Sequence, residues 1–239
     1  MLEKTITIAS YDVFPSGALR PSALMKYMQQ MAREDCDTIG CTYAEMRRLN
    51  TVFVSVRSGI EFYAPVNVGD TIKIVTFNND ISGITFDREF EIFRGDKEVA
   101  HASTFWVLVR FDTRALVRPN DFEYKFENHH RECGEVEVPK RIAVPENYEK
   151  VERVVRVSDL DENNHLNNCI YADIALDALK SFDGLTARVK KIVILYRHEA
   201  RLGETLSLSV GEGESSAVVT AVRTSDGAPC FEAEVTFER

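Results

Sequence analysis

No apolar run in this chain of 239 residues is long enough to cross a bilayer. Runs such as Ile192–Tyr196 and Phe105–Val109 are strand-sized, whereas a spanning helix needs about 20 residues. The opening MLEKTITIASYDVF has neither a continuous apolar core nor an Arg- and Ser-rich composition, so no export or organelle signal is expected. Cysteine is sparse: five, an odd number, scattered along the chain and unlike a disulfide framework. Basic charge is in deficit. A formal charge of −9 argues against a dedicated nucleic-acid binder, which would carry a basic face. Metal-ligand spacing is missing too. His129, His130 and Cys133 have no further ligand pair, and Cys36 and Cys41 have no second pair, so neither metal nor cofactor is expected. These absences together predict a reduced, cytoplasmic protein.

What remains is an ordinary globular composition, 44% hydrophobic and 28% charged. The first half opens on a strand at Thr5–Ser10 and a turn-rich segment, Tyr11–Leu19. A helix follows from Pro21, whose missing N–H costs nothing at the first helical position. Leu24, Met25, Met28, Met31 and Ala32 recur at helical spacing, and Gly40 lies just past the end. Thr42 and Glu45 have capping-box spacing for a short second helix. Val52–Tyr63, Thr71–Phe77, Ile84–Phe93 and Val99–Phe111 read as strands, with Gly95-Asp96 as a hairpin turn.

The second half repeats the order: a strand at Glu152–Val157, a polar turn, a helix over Asn168–Lys180, and strands at Val189–Tyr196, Thr205–Val210, Ala217–Arg223 and Phe231–Phe237. Residues match as well. Phe62–Ile72 lies against Tyr196–Leu206 without a gap, sharing a Gly-acid-Thr-apolar end in which glycine permits a tight turn before a strand. A helix followed by an antiparallel sheet, twice over, is an α+β plan arising by duplication. The expected domains are 1–111 and 151–239. The segment 112–150 holds three prolines and no clear helix, and is expected to wrap over one sheet as a linker.

The densest polar cluster runs from Asp159 to Asn168, immediately before the second-half helix. Turn formation and helix capping account for Asn167 or Asn168. They do not require a histidine, several carboxylates and four amides within ten positions. A helix N-terminus favours a carbonyl oxygen becoming an oxyanion. A carboxylate or imidazole can take a proton from water. Asp161, Asn163 and His165 alternate, so an extended turn projects them to one side.

The pattern Asp161-x-Asn163-x-His165-x-Asn167-Asn168, followed by Tyr171, resembles the active-site motif of the acyl-ACP thioesterases of plants and bacteria. Leu195-Tyr196-Arg197-His198-Glu199 is similar to that family's second motif, an acid at the end of a strand. The resemblance implies two tandem hot-dog domains, each a long helix wrapped by an antiparallel β-sheet, and hydrolysis of fatty acyl thioesters on acyl carrier protein. It makes Asp161, Asn163, His165 and Glu199 the catalytic group, with Glu199 or Asp161 activating water or attacking directly. Many plant members have a cysteine where this chain has Ala200, which argues against a cysteine-nucleophile mechanism there. Cys169, near a helix N-terminus, is assigned to packing.

The first half lacks this equipment, with Pro65 opposite Glu199 and Ala18 opposite His165. By resemblance it holds the acyl tail, with Met25 and Met28 as flexible lining. An acidic carrier needs a local basic patch. Arg188, Lys190 and Lys191 are the first choice, ahead of Arg47–Arg48 and Arg110, Arg114 and Arg118. No membrane span is expected, and a homodimer is left open. The competing readings are an acyl-CoA thioesterase on the same fold, a hot-dog dehydratase, and a non-catalytic acyl-chain binder.

Overall fold

The computed structural model describes residues 1–129, 134, 136–144 and 146–238. In the first half, β1 (Leu2–Thr7) alternates half-buried and exposed residues. It lies three residues earlier than expected because Ser10–Asp12 closes a 3-10 turn. α1 (Pro21–Thr38) starts on its proline, and Gly40 follows it with a left-handed φ of 78°. Its buried face carries Leu24, Met25, Met28 and Met31, each contributing about 1.5–3 kcal/mol by burial. α2 (Tyr43–Arg48) is capped by Thr42, whose Oγ1 accepts the Glu45 N–H at 3.2 Å. The Glu45 carboxylate pairs with Arg48 instead of completing the capping box. Then come β2 (Thr51–Phe62), β3 (Thr71–Ser82), β4 (Thr85–Arg94) and β5 (Lys97–Arg110), with Gly95-Asp96 turning β4 into β5.

The second half has the same order: β6 (Glu149–Val154), α3 (Ile170–Asp177), β7 (Arg188–Tyr196), β8 (Thr205–Glu212), β9 (Ser216–Arg223) and β10 (Pro229–Glu238). β6 is also displaced three residues from its expected start, again with a 3-10 turn after it, Val157–Asp159. α3 is shorter than the expected Asn168–Lys180. At its start Asn167 folds back, its Oδ1 accepting the Cys169 N–H at 2.9 Å. Beyond its end, the Glu212 carboxylate accepts the Lys180 and Ser181 N–H groups at 2.8 Å each. Gly69 and Gly203, the shared glycines of the repeat, both adopt left-handed φ, 84° and 80°.

The described strands form one antiparallel sheet in the order β1-β3-β4-β5-β2-β7-β10-β9-β8-β6. Read from either edge inward, the two halves have the same order. They meet where β2 pairs with β7, through Ser58↔Ile194, Gly59↔Val193 and Ile60↔Ile192. In the register of the repeat, Phe62 corresponds to Tyr196, so Gly59 corresponds to Val193. Gly59 therefore pairs with its own counterpart, and a local twofold passes through that pair. α1 and α3 pack on one face of the sheet, and the main core, including Ile60, Ile192 and Ile194, lies beneath them.

The linker crosses the other face at the same place. Val136, Val138 and Ile142 pack on Phe105, Val193 and Leu195. The crossing is pinned by Arg57 Nη1 donating to the Val138 carbonyl at 2.9 Å and by the Ile142 N–H donating to Glu232 at 2.8 Å. A Cβ on Gly59 would lie 2.7 Å from a Val138 methyl and 2.8 Å from a Val136 methyl. Gly59→Ala is therefore expected to destabilise the protein by about 1–3 kcal/mol through overpacking, and Val138→Ala in the same chain to recover part of it. Thermal melts of the single and double variants check this. An unshifted melt for Gly59→Ala would mean that the linker yields freely.

Candidate active site

The polar loop between β6 and α3 is built by its own carboxylates. Asp159 is buried, accepts the Arg156 N–H at 2.7 Å and pairs with Arg153 at 2.8 Å. Its carbonyl accepts the Asn167 N–H at 2.9 Å. Asp161 Oδ1 accepts two N–H groups, from Asn163 at 2.8 Å and His165 at 3.1 Å. Asn164 takes a left-handed φ of 61°, a conformation asparagine tolerates better than most residues. The loop is held as a tight arch, with Asp161 inside it.

His165 is delivered to Glu199 by backbone pairing. His165 bridges Arg201, and the Leu166 N–H donates to the Ala200 carbonyl at 2.8 Å. The result is a 3.1 Å contact between His165 Nε2 and Glu199 Oε2. The imidazole side chain is 17% exposed and the carboxylate 37%, so the pair opens to solvent at the acid. Glu199 also receives Arg114 from the linker, Nη2 lying 2.8 Å from Oε1 and 2.9 Å from Oε2. Arg114 has a left-handed φ of 60°.

The first half contributes as well. Tyr43, the first residue of α2, donates its hydroxyl to Asn163 Oδ1 at 3.0 Å. Arg33 of α1 pairs with Glu162 at 2.7 Å and lies over the Tyr43 ring at 5.4 Å. Asp161, Asn163, His165 and Glu199 thus line one cleft of about 360 Å³, together with Tyr43, Arg47 and Arg114. Tyr43 gave no signal in the sequence, and Arg114 stood there only as a surface basic residue. Their approach to the loop depends on how the two halves meet.

A second, mainly apolar cavity of about 240 Å³ adjoins the first, sharing Tyr43, Val52, Phe53, Glu162 and Asn163 with it. Its walls include Ala32, Met46, Phe86, Trp106 and Phe126, all from the first half and the linker. Met25 and Met28 lie elsewhere. They are buried in the main core beside a void of about 20 Å³, whose wall shares Gln29, Ala32 and Trp106 with the larger cavity.

The first half's equivalent of the site is a pocket of about 50 Å³ lined by Ala18, Pro65, Arg188, Lys190 and Glu238. Ala18 bridges Asn67 as His165 bridges Arg201, which reproduces the opposition of Ala18 to His165. Arg188 and Lys190 both pair with Glu238 there. His130 and Cys133 lie outside the described residues. Among those described, no group of three or more His, Cys, Asp or Glu is placed to hold a metal ion, and no helix is long and apolar enough to cross a membrane.

Cys169 is buried, and its Sγ donates to Gln29 Oε1 at 3.3 Å. Burial pushes its thiol up to about 12, which overrides the lowering that a helix N-terminus favours. The N–H groups of Cys169 and Ile170 are both spent on Asn167, so the helix start offers the cleft less than its position promised. The thiol remains protonated below that value. Cys169→Ser is expected to keep most activity, and the native thiol to resist alkylation at pH 8. A rate for Cys169 matching that of a free thiol would contradict this.

Comparison with known proteins gives a consistent result. Residues 1–124 match the model of the acyl-ACP thioesterase N-terminal domain and residues 142–239 that of the C-terminal domain. The chain is 22% identical to an oleoyl-acyl carrier protein thioesterase, chloroplastic, of Coriandrum sativum over 92% of this chain and 65% of that one. It is 23% identical to an Arabidopsis thaliana oleoyl-acyl carrier protein thioesterase over 83% and 60%. It therefore spans less than two thirds of the length of these curated relatives. The fold is shared with an acyl-ACP thioesterase of Bacteroides thetaiotaomicron, with a TM-score of 0.86 at 22% identity over 99% and 97% of the two chains. It is shared too with the 12:0-ACP thioesterase of Umbellularia californica, with a TM-score of 0.79 at 19% identity over 99% and 96%.

Proposed function

This chain belongs to the acyl-ACP thioesterase family, and we propose that it hydrolyses fatty acyl thioesters carried on acyl carrier protein. The observation that carries the proposal is the 3.1 Å contact of His165 with Glu199 in the cleft that Asn163 also lines. Glu199 is the base. It accepts a proton from a water molecule that attacks the thioester carbonyl carbon. The Asn163 amide donates to the oxygen as it becomes an oxyanion. The C–S bond then breaks, His165 gives its proton to the leaving thiolate, and the free acid and the carrier thiol depart. Glu199 returns its proton to His165 across their contact. Asp161 is the less suitable base, because Oδ1 already accepts two backbone N–H groups and holds the loop.

In this proposal the second half, from residue 151, carries the chemistry, and the first half, to residue 111, takes the acyl tail in the apolar cavity. Met25 and Met28 form the yielding backing behind Ala32. Carrier contact is assigned to Arg47 at the cleft. Its guanidinium lies 3.5 Å over the Phe111 ring and has no carboxylate partner among the described residues. Arg188 and Lys190 share the single carboxylate of Glu238, which lowers the net charge of the patch they form with Lys191.

The test is hydrolysis of acyl-ACP and acyl-CoA of several chain lengths at rising salt. Faster turnover of acyl-ACP is expected, falling as salt screens charges beyond about 10 Å at moderate ionic strength. Arg47→Glu should raise KM for acyl-ACP more than for acyl-CoA. Equal or better rates on acyl-CoA, indifferent to salt, would favour the CoA alternative. Saturable acyl binding with no free acid released would make the protein a non-catalytic binder.

A further inference from the structure

We infer that Tyr43, a residue of the non-catalytic half, is a positioning residue that sets which end of the Asn163 amide faces the thioester; this rests on the oxyanion role proposed for Asn163. A primary amide carries an acceptor oxygen and a donor nitrogen at nearly the same distance from its carbon, so only its partners decide which end points where. The Tyr43 hydroxyl donates to Asn163 Oδ1 at 3.0 Å. With the oxygen taken, the NH₂ group is the end left for the cleft. A reversed amide would present lone pairs to a developing oxyanion, and repulsion would replace stabilisation.

Tyr43 is itself held for this task. Thr42 caps the helix that begins at Tyr43, and Met46, one turn later, is buried. The Arg33 guanidinium lies over the Tyr43 ring at 5.4 Å and ion-pairs with Glu162 at 2.7 Å. Two residues of the first half therefore grip two consecutive residues of the catalytic loop. Tyr43 also lines both the catalytic cleft and the apolar cavity, at the point where an acyl chain passes from one to the other. The first half thus completes the site chemically, beyond holding the tail.

The experiment is a double-mutant cycle on steady-state kinetics with acyl-ACP, each protein first checked for an unchanged melting temperature. Tyr43→Phe keeps the ring and removes only the hydroxyl. It should lower kcat about fivefold, the effect of one hydrogen bond, with KM within twofold. In an Asn163→Ala background, already about 10²-fold slower, the same substitution should have no further effect on kcat. Asn163→Asp keeps the acceptor that Tyr43 addresses and loses the donor, so it should be as slow as Asn163→Ala. An unchanged kcat in Tyr43→Phe would overturn the inference. So would a fivefold loss that persists in the Asn163→Ala background, a loss confined to KM, or an active Asn163→Asp. If Tyr43→Phe melts lower, kcat is compared at a temperature below every variant's melting transition, where only a loss that vanishes in the Asn163→Ala background sustains the inference. Loss of turnover in His165→Ala beside an unaffected Tyr43→Phe would reject this inference and leave the assigned site standing. No hydrolysis by the wild-type chain would reject both.

Discussion

Glu199→Gln is expected to reduce kcat by about 10²–10⁴-fold, the range typical for removal of a positioned general base, with KM for acyl-ACP little changed. Glutamine preserves the size of the side chain and can still meet Arg114, but it cannot take a proton from water. The fold should survive, because Glu199 stands at the mouth of the cleft, 37% exposed, with partners that are themselves exposed or half-buried. His165→Ala should fall in the same range, and the double variant should be barely worse than either single one, since the two act as one proton-transfer unit. Single-turnover kinetics on folded variants decide the matter. A Glu199→Gln enzyme within threefold of wild type would transfer the base to Asp161.

Filling the apolar cavity should alter substrate choice nearly as strongly. Ala32 lies on the wall between the cavity of about 240 Å³ and the small void beside Met25 and Met28, and does not line the cleft of His165 and Glu199. Ala32→Phe is expected to exclude several methylenes of a long acyl chain. Each lost methylene costs about 0.8 kcal/mol, or roughly fourfold, so three would lower kcat/KM on long chains about 50-fold. Short chains should be turned over at nearly the original rate. Met25 and Met28 are less useful levers, since both are buried in the main core and a larger side chain there would strain the fold first. A length profile unchanged in a stable Ala32→Phe protein would place the tail elsewhere.

The legible parts of this molecule are those written in short stretches of chain. Pro21, Gly40, Thr42 and the Gly95-Asp96 turn act through their immediate neighbours, and the elements they mark formed where expected. The polar loop that carries Asp161, Asn163 and His165 into one cleft was placed before a helix for the same reason. Errors came where distant residues decide. α3 is cut short by Glu212, which lies on β8 and takes the N–H groups of Lys180 and Ser181. The two edge strands were misplaced by three residues, because a strand exposed along one side carries charges such as Glu3 and Glu149 that blur its pattern. The pairing of β2 with β7 leaves no turn signal in the sequence at all. Tyr43 and Arg114 reach the site only through that pairing and the linker, so no local pattern could have found them.

The junction at Gly59 and Val193 has one more consequence. Two separate copies of a half, meeting along such a seam, would depend on concentration to stay together. Here one continuous chain joins them, so the encounter is intramolecular, at an effective concentration of roughly millimolar or more. Two identical copies would also share every substitution. Encoding the halves separately frees each position from its mate: Ala18 stands where His165 stands, and Pro65 where Glu199 stands, while the cleft of the second half keeps both polar side chains. Symmetry in the sheet coexists with two differently lined pockets, and the fused seam is what permits it.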